Sequence, residues 1–140
     1  MKKKKINHRL VEGMRKQWVK RKLIEAYACI AQISKEHGCM KCRVPMSCCS
    51  AEYCFIAKQY AKESWGIELQ PITSGPLPFI SEGNGCIVPA HLRPICSLHA
   101  CQINSVGFFP NDKQATESYF ILRNEIEKLE AERNQHNATI

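Results

Sequence analysis

"INHRLVEGMRKQWVKRKLIEAYACIAQISKEHG", Ile6–Gly38, decides the fold class. Ile6, Leu10, Met14, Trp18, Leu23, Tyr27, Ile30 and Ile33 recur at steps of three, four and five residues, which reads as one apolar stripe along a helix. Lys16, Lys20, Arg21 and Lys22 fall mostly off that stripe, and no proline interrupts it. The spacing predicts a helix over residues 6–36. Gly13 is its weak point, worth about 1 kcal/mol against alanine. His37-Gly38 reads as the stop, because glycine tolerates the left-handed conformation that closes a helix.

Three further segments follow. Residues 51–65, "AEYCFIAKQYAKESW", read as a second helix, with Ser50 as N-cap, Glu52 on the positive end of the helix dipole and Gly66 closing it. Residues 67–95 carry Pro71, Pro76, Pro78, Pro89 and Pro94 with Gly75, Gly83 and Gly85, a density of breakers that excludes a long helix or a central strand. Short strands at Phe79-Ile80 and Cys86–Val88 are all that this segment allows. Residues 112–134 read as a final helix after Pro110, capped by Asn111. Ala115, Tyr119, Leu122, Ile126 and Leu129 form a heptad-like seam, with Glu125, Glu127, Glu130 and Glu132 off it. Two heptads are short for a coiled coil. The seam is expected to pack on the first helix, with a helical dimer partner as the alternative.

The fold class expected is therefore mostly α: a small helical domain with a long Pro/Gly-rich irregular loop held by a cysteine-ligated metal site. The 140 residues fit one domain, divided into a basic N-terminal helix (1–36), a cysteine-rich core (37–104) and a C-terminal helix (111–136). Apolar and charged fractions are those of a globular chain. No apolar run approaches the roughly 20 residues that span a bilayer, so no membrane partner is expected. The Lys-rich start lacks the apolar stretch and cleavage site of a secretory signal, so the expected compartment is cytoplasmic.

The net charge of +7 is concentrated at one end. Residues 1–22 hold ten of the 20 Lys and Arg and only one acid. Such an arm, residues 2–22, suits a nucleic-acid backbone or an acidic protein surface; its plainer reading is a solvated helix face.

The nine cysteines are Cys29, then Cys39, Cys42, Cys48, Cys49 and Cys54, then Cys86, Cys96 and Cys101. An odd number cannot pair completely, and thiols in a reducing compartment more often bind metal or do redox chemistry than form disulfides. Cys39 and Cys42 form C-x2-C directly after the helix stop, a spacing that aims two thiolates at one ion. A soft ion held by four thiolates needs two such segments from different parts of the chain, and "GNGCIVPAHLRPIC" supplies the second. No βαβ pattern surrounds the C-x2-C pair, which weakens a thioredoxin-like redox reading. Adjacent Cys48 and Cys49 tend to diverge, so either one ligates and the other packs, or they serve two centres. The candidate ligands are Cys39, Cys42, Cys48, Cys49, Cys86, Cys96 and Cys101. Cys29 and Cys54 sit in predicted helices and read as small buried thiols. His37, His91 and His99 are secondary candidates. The ion is Zn²⁺ or the centre an iron–sulfur cluster; spacing does not separate them. No phosphate loop, nucleophile elbow or zincin motif occurs, so no catalytic residue is assigned.

"CMKCRVPMSCC" with "LPFISEGNGCIVPAHLRPIC" and "SLHAC" resembles the CxxCxxCC family of zinc- or iron-chelating domains, a cysteine-rich region also seen in flagellin lysine N-methylases. Gly85-Cys86-Ile87 resembles the family's glycine–cysteine step, Arg93-Pro94-Ile95-Cys96 its Arg-Pro step, and Cys101 its trailing cysteine. The likeness covers about Cys39 to Cys101. The chain departs from it in the five residues between Cys42 and Cys48, in Leu77 where the family often has cysteine, and in Pro89-Ala90-His91 where it has tyrosine. The resemblance implies a chelating module. An enzyme, as a methyl-transfer or redox partner, follows only by family association, and no cofactor fingerprint supports it.

Overall fold

The computed structural model describes residues 8–38, 51–75, 77–81, 85–110 and 112–138. In chain order these form helix α1 (His8–Ile33), a π turn (Ser34–Gly38), helix α2 (Ala51–Trp65), strands β1 (Ile80–Ser81) and β2 (Gly85–Cys86), a 3₁₀ turn (Ala90–Leu92), and helices α3 (Pro94–Leu98), α4 (Cys101–Val106) and α5 (Lys113–Ala138). The mostly helical expectation holds. The two strands pair antiparallel, Ile80 opposite Cys86. Within the stretch expected to be irregular, and just beyond it, the 3₁₀ turn and the short helices α3 and α4 were not legible.

The core is the seam between α1 and α5. Val19, Leu23, Ala26, Tyr27 and Ile30 pack against Ala115, Tyr119, Ile126 and Leu129. The α5 stripe is thus the one its heptad spacing predicted. The α1 stripe is corrected: Leu10 and Met14 are 61% and 62% exposed, while Val19 and Ala26 are buried in their place. At 3.6 residues per turn, the nine positions from Met14 to Leu23 make two and a half turns, which puts them on opposite faces. The face continuing from Leu23 toward the N-terminus carries Glu12, Arg15 and Lys16. Arg15 accordingly meets α5 through charge, its Nε and Nη2 donating to Glu132 at 2.6 and 2.7 Å. This pair holds the Glu132 carboxyl below its ordinary value. The contact also sets the helices antiparallel, the start of α1 beside the end of α5.

The α5 start is capped by Asp112, whose carboxylate accepts from the Ala115 N–H at 2.9 Å. Asn111, the residue expected to cap, lies outside the described residues, as do Ser50 and Ile6. Gly66 (φ 66°) closes α2 as expected, its N–H reaching the Lys62 carbonyl while that of Ile67 reaches Ala61. Gly107 (φ 86°) closes α4 in the same left-handed conformation.

Helix α2 is fastened to α5 by a polar cluster. The seam's next position after Leu129 is Arg133, which is 1% exposed. Its Nη1 donates to the Tyr60 hydroxyl at 2.8 Å and pairs with Glu130 at 2.9 Å, and its guanidinium lies over the rings of Tyr60 and Trp65. Tyr60 donates to Glu130 at 3.0 Å and accepts from the Trp65 indole N–H at 3.1 Å. Burial pushes both Tyr27 and Tyr60 above the ordinary phenol value, so both keep their protons.

Two predictions check this packing. Leu23→Ala should cost about 2–5 kcal/mol of unfolding free energy, and Met14→Ala less than about 0.5, in denaturant titrations followed by circular dichroism. Equal costs would return Met14 to the core. Arg133→Ala should be as damaging as Leu23→Ala, because it removes the cation paired with the Glu130 carboxylate and one donor to the Tyr60 hydroxyl, at about 3 kcal/mol for a pair that is only partly shielded.

Candidate metal centre

The loop after α2 has little regular structure, so it must lean on a neighbour. It leans on α2. Cys54, Ala57 and Ala61 are three and four residues apart on one face of that helix, and Ala57 and Ala61 are buried. Small side chains there let another backbone approach closely. Ala61, Phe79, Val88 and Leu92 form a second apolar cluster, with Cys54, Trp65, Leu69 and Cys86 packed around it. The loop is tied internally by Ile87 N–H to the Phe79 carbonyl at 2.9 Å, Ile72 N–H to Pro78 at 2.8 Å and Arg93 Nε to Val88 at 2.7 Å. Arg93, from the Arg-Pro step, is thus a brace for the segment that follows Cys86. Pro94 then opens α3, where its fixed φ suits the first helical position. Ser97 Oγ donates to the Ala90 carbonyl at 2.7 Å, and Tyr119 donates to Leu98 at 2.5 Å, which joins α3 to the 3₁₀ turn and to α5.

The expected ligands are placed as follows. Cys86 is half-buried on β2, and Cys96 is half-buried on α3. Cys101 is the first residue of α4. Cys39, Cys42, Cys48 and Cys49 lie outside the described residues, as does the side chain of Cys101. Among the described residues, no group of three or more His, Cys, Asp or Glu side chains stands ready to hold an ion. His91 is engaged elsewhere: its ring meets Trp65 edge-on at 4.8 Å, and burial lowers its pKa.

Cys54, expected to be a packing thiol, is only half-buried, and its sulfur sits in the field of Cys86. Burial pushes the Cys54 thiol up, Cys86 pushes it further, and a hydrogen bond from the backbone at Phe79 pulls it back down. Cys54 and Cys86, 32 positions apart in the chain, thus flank the same apolar cluster. Helical periodicity could not find this pair, because it assigns a residue to a face without saying what covers that face. The alternation of Cys54 with alanines was the available signal.

The basic arm is partly committed. Arg15 is held by Glu132 and lies over the Trp18 ring, and Lys22 pairs with Glu25 at 3.4 Å. Arg9, Lys20 and Arg21 are exposed; residues 2–7 lie outside the described residues. Among the described residues no helix is long and apolar enough to cross a membrane. Comparison of the chain with family models, with curated proteins and with solved structures finds no match.

The raised thiol has a reactivity signature. In metal-free protein, alkylation of Cys54 by iodoacetamide should still be accelerating above pH of about 8.5, the ordinary thiol value, because the thiolate is the nucleophile. Peptide-resolved mass spectrometry over a pH series measures this, and a plateau at or below that pH would contradict the raised value.

Proposed function

We infer that the protein is a metal-binding module that chelates Zn²⁺ or an iron–sulfur cluster through its two cysteine groups. The observation that carries this reading is the docking of the Phe79–Leu92 segment on α2. Helix α2 begins two residues after Cys49, and the docked segment carries Cys86. Cys54, from the first cysteine group, and Cys86, from the second, flank one apolar cluster, which supports a site with ligands from two chain segments. The donor chemistry fits: thiolates select zinc or iron over hard cations. The resemblance of Cys39–Cys101 to the CxxCxxCC chelating family points the same way. The donor set is Cys39, Cys42, Cys48, Cys49, Cys86, Cys96 and Cys101.

A metal here would be structural in its effect. Among the described residues the apolar cluster under the loop has four buried members, so ion binding would contribute much of the free energy that holds residues 67–101 in place. The exposed Arg9, Lys20 and Arg21 leave room for an accessory role on nucleic acid or an acidic protein surface, with the metal site as scaffold.

Elemental analysis and an absorption spectrum of protein purified without oxygen test the reading. Zinc gives a colourless sample, and a cluster gives a brown one absorbing at roughly 400 nm. Removing the metal with a chelator should lower the melting temperature and part of the helical circular dichroism. Cys86→Ala should lower the metal content per chain. Protein that carries no metal and melts unchanged with chelator would overturn the reading.

A further inference from the structure

We propose that the exposed face of the first half of α1 docks on an anionic lipid surface. The proposal does not draw on the metal centre.

Three observations carry it. The first is that the face is apolar. Leu10, Met14 and Trp18 follow one another at steps of four, and Val11 stands three before Met14, so the four share one side of the helix. Leu10, Val11 and Met14 are 61%, 49% and 62% exposed, while the Trp18 indole packs partly against the α1–α5 core and bounds the patch. The second is that the rim is cationic. Helix α1 holds six Lys and Arg against Glu12 and Glu25. The Arg15 guanidinium lies over the Trp18 ring at 4.2 Å and the Lys22 ammonium at 5.9 Å. Arg21, seven residues on from Met14, stands on the same side of the helix; it, Arg9 and Lys20 are all exposed. Neither acid interrupts the patch. Glu25 pairs with Lys22, and Glu12, two positions from both Leu10 and Met14, falls on the opposite side. The third is that the face is fixed in place. Helix α1 is held to α5 from Arg15 onward, so the patch is a preformed ridge and need not fold on binding.

These features fit one occupant. A second copy would bring two chains of charge +7 together. A nucleic-acid backbone answers the cations but offers Leu10, Val11 and Met14 nothing apolar to bury against. An anionic lipid surface answers both needs. Its phosphates meet the Lys and Arg side chains, its acyl boundary takes the apolar ones, and Trp18 sits at headgroup level. Such a contact asks for one apolar face and no membrane-spanning run.

The test is flotation of the full chain with vesicles of phosphatidylcholine alone and of equal parts phosphatidylcholine and phosphatidylglycerol. Binding should be at least roughly tenfold tighter to the anionic vesicles and should weaken as salt is raised. Leu10→Gln combined with Met14→Gln removes apolar contact without touching a charge. It should weaken anionic binding by roughly tenfold and leave the melting temperature unchanged, since both positions are exposed. Ile121→Gln, at an equally exposed position on α5, should bind as the unmodified protein does. No binding, or equal binding to both vesicle types, overturns the proposal. Anionic binding that the double variant leaves unchanged also overturns it, because charge alone then accounts for the attraction. If vesicles fail to bind while an acidic amphipathic peptide binds, or while the chain dimerises in sedimentation, and the double variant abolishes that contact, the face belongs to a protein partner and the proposal falls.

Discussion

A guanidinium buried at the end of an apolar seam must find its partners within the protein, and much of this fold follows from where Arg133 finds them. The α5 stripe runs Ala115, Tyr119, Leu122, Ile126, Leu129 and then, four residues on, Arg133. A leucine there would simply extend the contact with α1. Arginine instead brings a charge that cannot be left unpaired at 1% exposure. Glu130, one turn back on the same helix, supplies the counter-charge, and Tyr60 and Trp65 supply an acceptor and two ring faces. Both aromatic residues belong to α2. The need to satisfy Arg133 therefore fixes the C-terminal half of α2 against the α1–α5 pair, with a directionality that apolar contact alone would not give. Trp65 extends the linkage by meeting His91 at the start of the 3₁₀ turn.

The position of α2 then determines where the cysteine-bearing loop can sit. The face of α2 that carries Cys54, Ala57 and Ala61 adjoins Trp65, one of Arg133's partners, and it packs against Phe79, Val88 and Leu92. A loop with so many prolines and glycines has few backbone hydrogen bonds of its own, so its placement is set by that face and by braces such as Arg93 to Val88. The chain of dependence runs from a buried charge, to a helix orientation, to a loop position, to two cysteines flanking one apolar cluster.

How much of this was legible in the sequence varies with the range of the interaction. The α5 stripe was readable because its apolar residues hold one phase for two heptads. The α1 stripe was readable only from Trp18 onward; Leu10 and Met14 carry the right residue types in the wrong phase, and five-residue steps hide a drift of half a turn. Helix α2 was legible to the residue, because Gly66 ends it and the segment before it is rich in good helix formers. The short helices α3 and α4 were hidden because five or six residues are too few for any period to show; they stand on Pro94 and on tertiary bonds from Ser97 and Tyr119. Arg133 was not legible, since nothing local announces that Tyr60 and Trp65 are waiting for it.

The same distinction applies to the candidate centre. Cys86 and Cys96 stood out by clustering with glycine and proline, the usual setting of ligand loops. Cys54 did not, because a cysteine four residues into a helix has the same local context whether it packs or ligates. Its tertiary setting depends on Phe79, 25 positions away, which belongs to the cluster that Cys54 and Cys86 flank and whose carbonyl anchors Ile87. Burial and a neighbouring thiol each make ionising Cys54 harder in the absence of a cation. A bound divalent ion reverses both effects, since it supplies the positive charge that two adjacent thiolates lack. The placement that makes the Cys54 thiol hard to ionise in the bare protein is therefore the one that a bound cation would change most.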